Sequence, residues 1–152
     1  GADDWLRASF TLAQPEHVFF ILRQNTWTSV DSIIDGGGTN KMRVYQDGTT
    51  PDIQQYAGAF GAVDSNTTLG SFFLVESFYS GASSFLKVAD NTPSTGDAGT
   101  TSADGLTLFA RGNDLGPADC NIAEVIICSA EVTGSDLSDL RSYFNTQWGV
   151  TV

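Results

Sequence analysis

Basic side chains are scarce in this sequence. Seven Lys and Arg residues stand against eighteen Asp and Glu residues, which gives a formal net charge of −11. Binding to nucleic acids depends on Lys and Arg side chains that neutralise phosphates, and no stretch of this chain clusters them. The composition therefore argues against a nucleic acid as a partner.

Long apolar runs are also missing. No segment approaches the roughly 20 apolar residues that span a bilayer, so we predict no membrane insertion. The sequence starts with "GADDWL" and shows neither an initiator Met nor a signal-like segment. We interpret residues 1–152 as a single domain, and as a fragment or processed part of a longer chain. A domain of this length buries roughly 68–70% of its unfolded surface, which is enough to form a stable core without disulfides or a structural metal ion.

The chain has only two cysteines and one histidine. Cys120 and Cys128 bracket a β-branched apolar segment that predicts a strand. Residues eight apart in a strand share a face but lie roughly 26 Å apart, whereas a disulfide needs Cα atoms within about 7 Å. The distant His17 provides no zinc-ligand spacing. We interpret both cysteines as unpaired apolar residues on the same side of one strand.

Glutamate occurs at four positions, and no two of them are closer than seven residues in sequence; they are Glu16, Glu76, Glu124 and Glu131. Retaining glycosidases need two carboxyl groups about 5–5.5 Å apart, and the sequence offers no such pair. His17 has no neighbouring nucleophile, so a Ser–His or Cys–His arrangement is also unsupported. We therefore expect no enzyme and no catalytic residue, and keep a polysaccharide-degrading glycosidase as the second alternative.

Strand-like segments separated by turns make up most of the chain. The apolar segments "HVFFILR" and "SFFLVESFY" predict central strands that are covered on both sides. "SVDSIID" and "KMRVYQDG" are joined by three glycines and predict a hairpin. Weaker strands are predicted at "DIQQYAG", "SSFLKVAD" and "GLTLFARG". Two polar loops, Thr49 to Ala62 and Asn91 to Gly105, are candidates for a recognition surface.

The C-terminal segment changes to a helical period. Its apolar residues recur at spacings of three and four, and they are Leu137, Leu140, Phe144 and Trp148. Thr133 is a candidate N-cap with Asp136 as its capping-box partner, and Gly149 is placed for a C-terminal cap. We predict one amphipathic helix, held to the β-domain by its leucines and Trp148.

Two motifs resemble those of a known family. "NIAEVII", residues 121–127, followed by a short helix that ends in "WG", is similar to the closing strand and helix of laminin-G-like domains, a branch of the concanavalin-A-like jelly rolls. "GADDWLRAS", Gly1 to Ser9, resembles the strand that opens the same sandwich. Cys128 and Gln147 depart from the Tyr and Lys that are common there. The resemblance covers both ends of the chain.

The resemblance implies an all-β fold, a two-sheet antiparallel jelly-roll sandwich with one C-terminal α-helix. Such domains occur in phage structural proteins and in bacterial surface proteins, so the implied location is extracellular or on a virion surface. The fold by itself assigns no single function, because function depends on the site that a fold carries.

Exposed aromatic rings beside polar residues are the pattern expected of a sugar-binding surface. The candidates are Trp27, Tyr45, Tyr56 and Tyr79. Trp5 and Trp148 are expected in the core instead. Glu124 is predicted to share a face with Ile122 and Ile126 in an otherwise apolar strand. We interpret it as a structural carboxylate bonded to backbone amides or an Arg, with ligand contact as the alternative.

Calcium is the ion that the sequence favours, if there is one, because oxygen ligands are plentiful in the loops. Asp114 and Asp119 in "GNDLGPAD" are the first candidates; Asp35, Asp97, Asp104 and Asn113 are further loop ligands. No Asp-rich calcium-loop motif is present, so the prediction rests on residue type alone.

Two functional hypotheses follow. The first is a non-enzymatic structural or decoration module on a virion exterior or cell surface, which contacts other virion or surface proteins and forms a homo-oligomer. The alternative is a glycan-binding adhesion module, as in tail fibres and secreted lectin-like domains. In both hypotheses the domain binds and does no chemistry.

Overall fold

The computed structural model describes residues 5–38, 40–113 and 115–152. In chain order the elements are β1 (Leu6–Ala8), β2 (Glu16–Gln24), β3 (Ser32–Asp35), β4 (Arg43–Gln46), β5 (Ile53–Tyr56), β6 (Phe60–Asp64), β7 (Phe73–Tyr79), β8 (Phe85–Val88), β9 (Ser94–Thr95), β10 (Leu106–Leu108), β11 (Cys120–Cys128) and α1 (Gly134–Trp148). The first four residues of the predicted opening strand lie outside the described ranges, and its remainder forms β1.

The strands form two antiparallel sheets that face each other. One sheet has six strands in the order β1-β10-β3-β4-β5-β6, and the other has five in the order β11-β2-β7-β8-β9. Both predicted central strands, β2 and β7, lie inside the five-stranded sheet. The predicted hairpin is β3 paired with β4. The all-β jelly-roll sandwich with a C-terminal helix is therefore confirmed.

Alternation along β2 supplies two separate cores. Val18, Phe20 and Leu22 point between the sheets, where they meet residues of both. Phe19 and Ile21 point to the other side of the five-stranded sheet, where they meet the helix. Because both faces are covered, β2 reads as an almost continuous apolar run in the sequence.

Polar side chains also cross the inter-sheet core. The buried Gln55 of β5 donates from Nε2 to Ser77 Oγ (3.1 Å) and to the carbonyl oxygens of Phe78 and Phe85 (3.2 Å each) in the other sheet. Tyr79 donates its hydroxyl to the carbonyl oxygen of Arg43 at 2.9 Å. These bonds fix how the two sheets lie on each other, since buried polar groups left unpaired are costly.

The loop from Asn91 to Gly105 packs against the six-stranded sheet. Ala98 and Ala103 are buried, and the Ala98 carbonyl accepts hydrogen bonds from the backbone of Ala57 (2.6 Å) and Ala59 (2.9 Å). Gly99 has φ of 90°, and a Cβ there would come within 2.4 Å of the Ala57 oxygen. Only glycine permits this approach. The other predicted loop, Thr49 to Ala62, contains β5 and most of β6.

β11 forms an outer edge of its sheet and contains a β-bulge. Its pairing with β2 shifts register between Ile122 and Glu124. An extra residue reverses the side-chain alternation beyond it. Ile122 therefore faces the inter-sheet core, whereas Glu124 and Ile126 face the helix. The prediction that Glu124 shares a face with Ile122 is wrong, because the sequence period does not reveal the bulge.

The two cysteines are free, as predicted, but the bulge also places them on opposite sides of the sheet. Cys120 pairs with Gln24 and packs against the inter-sheet core, while Cys128 pairs with His17 on the helix side. Burial raises the pKa of the Cys120 thiol to about 12, so this sulfur is unreactive at neutral pH.

The helix lies against the outer side of the five-stranded sheet. It begins after Thr133, whose side chain makes no capping hydrogen bond, so the predicted capping box is wrong. Gly149 caps the other end in the left-handed conformation (φ 65°) and donates to the Asn145 carbonyl at 2.9 Å. Phe144 is fully buried, but Trp148 is 40% exposed and Trp5 is 38% exposed. Neither tryptophan belongs to the core.

Candidate functional site

The outer side of the five-stranded sheet is occupied by the chain itself. Phe144 of α1 stacks on Phe19 with ring centroids 6.4 Å apart. Arg141 donates from Nε and Nη2 to the two oxygens of Glu76, at 2.7 Å each. Lys87 Nζ lies 3.6 Å from the same carboxylate, which is 1% exposed. Glu76 is thus a paired structural charge.

The outer side of the six-stranded sheet carries a different set of residues. We call it the six-strand face, and it comprises Ser32, Arg43, Tyr45, Gln54, Tyr56 and Phe60. The strand register pairs Arg43 with Tyr56, Tyr45 with Gln54 and Tyr56 with Phe60, so these side chains point to the same side of the sheet. The face is polar and aromatic, whereas the helix-covered side is mostly apolar.

Arg43 and Tyr45 form the floor of this face. The Arg43 guanidinium lies 4.1 Å from the centroid of the Tyr45 ring, and its Nε donates to Ser32 Oγ at 2.7 Å. Burial, followed by the charge of Arg111, lowers the pKa of Arg43 to about 10. Burial raises the pKa of Tyr45 to about 12. Both groups therefore keep their ordinary protonation at neutral pH.

Tyr56 and Phe60 form the accessible part of the six-strand face. Their rings meet edge to face with centroids 5.2 Å apart, and Phe60 is 72% exposed. The Tyr56 hydroxyl forms no hydrogen bond to any part of the chain that the structure describes. The pair thus offers an apolar platform beside a free hydroxyl. Phe60 was not among the residues predicted from the sequence, where it is a lone aromatic residue among the small residues of "AGAFGA".

The four aromatic candidates fall in three places. Tyr45 and Tyr56 lie on the six-strand face, although Tyr45 is only 3% exposed. Tyr79 is fully buried between the sheets, so it is not a surface candidate. The Tyr79 side chain points from β7 into the space between the sheets, and its hydroxyl donates a hydrogen bond to the Arg43 carbonyl oxygen. Trp27 is half-buried in the β2–β3 loop, away from strand pairing, with an indole Nε1 that has no partner among the described residues.

Glu124 is a structural carboxylate, but its partners differ from those expected. Trp148 Nε1 donates to Oε2 at 2.7 Å, and the Tyr143 hydroxyl donates to Oε1 at 2.9 Å. The predicted partners were backbone amides or an Arg. The site is half-exposed at the edge strand, so the carboxylate is not a buried charge.

The candidate calcium ligands are used in different ways. Asp119 accepts from Asn25 Nδ2 (3.0 Å) and Thr26 Oγ1 (3.2 Å), which fastens the β2–β3 loop. Asp35 is buried and accepts four backbone N–H groups, those of Gly36, Asn40, Lys41 and Gly112. Asp114 lies outside the described residues. Among residues 5–38, 40–113 and 115–152, no three His, Cys, Asp or Glu side chains gather as a metal site.

Two further ionisable groups are buried. Glu16 Oε1 accepts from the Ala103 N–H at 2.8 Å, while Oε2 has no partner in the described chain; burial raises the pKa of this carboxyl. His17 Nδ1 accepts from the Val132 N–H at 3.2 Å, and burial lowers the pKa of His17 to about 4. His17 is thus a neutral aromatic residue packed beside Phe19, Phe78 and Phe85.

In the described part of the chain, no helix is long and apolar enough to cross a membrane.

No family model and no curated sequence matches this chain. Several solved structures are similar in fold. A Trypanosoma rangeli sialidase aligns with a TM-score of 0.64 and 10% identity over 90% of this chain, which spans 24% of that protein. A heptameric SAP-like pentraxin from Limulus polyphemus aligns at 0.57 with 11% identity, over 85% of this chain and 71% of that one.

A third similar structure is congerin II liganded with lactose and MES. It aligns with a TM-score of 0.52 and 8% identity, over 82% of this chain and all of that one (100%). Identities this low establish the fold alone. The chain therefore has a jelly-roll sandwich fold, and it spans only about a quarter of the sialidase's length.

Proposed function

We propose that this domain is a glycan-binding, lectin-like module whose sugar site is the six-strand face. The observation that carries the proposal is the Tyr56–Phe60 pair, an exposed aromatic platform on the side of the sandwich that the helix leaves open. Aromatic rings present a large apolar surface to the C–H faces of a sugar at low entropic cost, and the free Tyr56 hydroxyl supplies a hydrogen-bonding group.

The similar structures support this function over a structural one. Congerin II is described with lactose bound, and the Limulus protein is a heptamer. A single shallow platform gives weak binding, and repetition in a homo-oligomer raises avidity without new contacts. We therefore propose a homo-oligomer that binds glycans. A role on a virion exterior, an extracellular location and a calcium dependence each stay a prediction.

A binding role without chemistry is consistent with how the chain uses its acids. The two buried glutamates serve the fold, since Glu76 pairs with Arg141 and Glu16 binds the Ala103 amide. Glu124 holds Tyr143 and Trp148. A pair of acids with separated pKa values beside one cleft would be needed for glycoside hydrolysis.

The test is a glycan array probed with the labelled protein and two single variants. Phe60→Ala removes the exposed ring of the platform. Phe72→Ala is the matched control, because Phe72 is 43% exposed and lies under Arg23 on the five-stranded sheet. We expect the wild-type signal to survive in Phe72→Ala and to be lost in Phe60→Ala. Binding to no glycan by the wild type, or equal loss in both variants, would overturn the proposal.

A further inference from the structure

The few basic residues are unevenly placed. Arg7 and Arg43 lie in strands of the six-stranded sheet, Lys41 lies in the β3–β4 loop, and Arg111 lies in the β10–β11 loop that leads to the other sheet. The others belong to the five-stranded sheet and the helix, where Arg141 and Lys87 are paired with Glu76. Four of the seven basic residues thus belong to the sheet with the aromatic platform or to loops that leave its strands.

Arg111 is a basic residue whose side-chain donors have no partner among the described residues. It follows β10 in a loop that returns along β3, where the Arg111 N–H donates to the Leu115 carbonyl at 3.0 Å. The guanidinium Nε is buried and has no acceptor among the described residues, so a ligand from outside does not reach this atom. The two terminal nitrogens form no hydrogen bond or ion pair with the described residues, and their N–H groups are the donors left for an acceptor from outside the chain.

Arg43 adds a second positive charge, and each of its three nitrogens already has one partner within the chain. Its nitrogens are bonded to Ser32 Oγ, Asn40 Oδ1 and the Val30 carbonyl, which fix it on the Tyr45 ring. The loop that carries Arg111 is bonded to the same residue as Arg43, because the Ser32 N–H donates to the Gly116 carbonyl at 2.7 Å while Ser32 Oγ accepts from Arg43 Nε. The Asp31 and Asp35 carboxylates also act on Arg43. Asp35 is bonded to four backbone N–H groups, and Asp31 forms no hydrogen bond to either guanidinium in the described chain, so donors of Arg111 remain for an anionic ligand.

We propose that Arg111 binds the carboxylate of an acidic sugar, with the ring of another sugar of the same oligosaccharide lying on Tyr56 and Phe60. This inference rests on the glycan-binding function proposed above and names its substrate class. Arginine and a carboxylate form paired, parallel hydrogen bonds, which gives direction as well as strength. Register places Arg43 beside Tyr56 and Tyr56 beside Phe60. The loop of Arg111 is bonded to β3, so the path from Arg111 to Phe60 runs from β3 to β6, roughly 14 Å at ordinary strand spacing. A single sugar is too short for that distance, and an oligosaccharide is needed.

The experiment titrates the protein with oligogalacturonate, with its neutral methyl ester and with a sulfated neutral oligosaccharide, by calorimetry at low salt. Arg111→Gln removes the charge, and Arg111→Lys keeps the charge without the fork. Arg23→Gln is the matched control, because Arg23 is half-buried on the other sheet, where it lies over Phe72 and donates to the side chains of Asn25 and Asn121. Each variant is first checked for folding by circular dichroism.

We expect wild type and Arg23→Gln to bind the acid more tightly than its ester, and Arg111→Gln to lose about tenfold in affinity for the acid, as for one charge-assisted bond. Arg111→Lys should fall between them. Equal affinity for acid and ester, or equal effects of the two Gln variants, overturns the acidic-sugar inference while leaving glycan binding intact. Preference for the sulfated sugar also overturns it. If the wild type bound neither these probes nor any glycan on the array, the proposed glycan-binding function itself would be overturned.

Discussion

The two outer sides of this sandwich are built from similar residue types that are used in opposite ways. On the five-stranded sheet, α1 supplies a ring for Phe19 and a guanidinium for Glu76, so the aromatic and charged groups are paired within the chain. On the six-strand face, Phe60 meets the Tyr56 ring but is 72% exposed, and beside this face Arg111 Nε has no acceptor among the described residues. Groups that a fold leaves unpaired, at a cost to stability, are the ones available for a ligand.

The largest expected effect is on the helix-covered side. Phe144→Ala removes a fully buried ring from the small core between α1 and β2, and such truncations cost about 3–5 kcal/mol. Tyr143→Ala is the matched control, since the neighbouring ring is 44% exposed and mainly bonds Glu124. Urea denaturation measures both. Equal losses in the two variants would mean that α1 is not the cover that the packing indicates.

A second expected effect comes from pH on the same side. Folding holds His17 neutral with a pKa of about 4, against about 6.5 in an unfolded chain. Between these values the unfolded state binds a proton that the folded state does not, so stability falls as pH drops from about 6.5 to 4, by up to about 3 kcal/mol. The charge of Glu76 opposes this shift and that of Arg141 adds to it.

The measurement is the free energy of unfolding at several pH values for the wild type and His17→Phe. The variant keeps a ring beside Phe19, Phe78 and Phe85, but the Val132 N–H loses its acceptor, which costs about 1–3 kcal/mol at every pH. We expect the pH slope between 4 and 6.5 to become shallower in the variant. An unchanged slope would show that His17 is not protected from protonation, and that the helix-covered side is less closed than described.

Regular periods in the sequence were enough to predict the architecture. β2 and β7 are apolar on both faces, and the spacing of Leu137, Leu140 and Phe144 is helical, so sheet, core and helix could all be inferred. Departures from a regular period could not be predicted from the sequence. The bulge at β11 reverses the direction of Glu124, and no residue type in "NIAEVII" marks it.

The site was harder to predict because it depends on pairing between distant strands. Tyr79 and Tyr45 both stand beside polar residues in sequence, yet one points between the sheets and the other forms the floor of the six-strand face. Phe60 was missed because its exposure results from the β5–β6 register. Arg111 becomes notable only when every acceptor around it is accounted for in three dimensions.

The smallest expected effect on stability is on the six-strand face, and it bears most directly on the comparison. Phe60→Ala deletes the same side chain as Phe144→Ala, but from a site that is 72% exposed and not fully buried. Surface substitutions of this kind change stability by less than about 0.5 kcal/mol. We expect urea denaturation to give the wild-type midpoint for Phe60→Ala, with the same oligomer size by light scattering. A loss above about 1.5 kcal/mol, or a smaller oligomer, would identify Phe60 as a structural or interface residue. An unchanged fold and assembly would leave recognition as the reason for an exposed ring on this face.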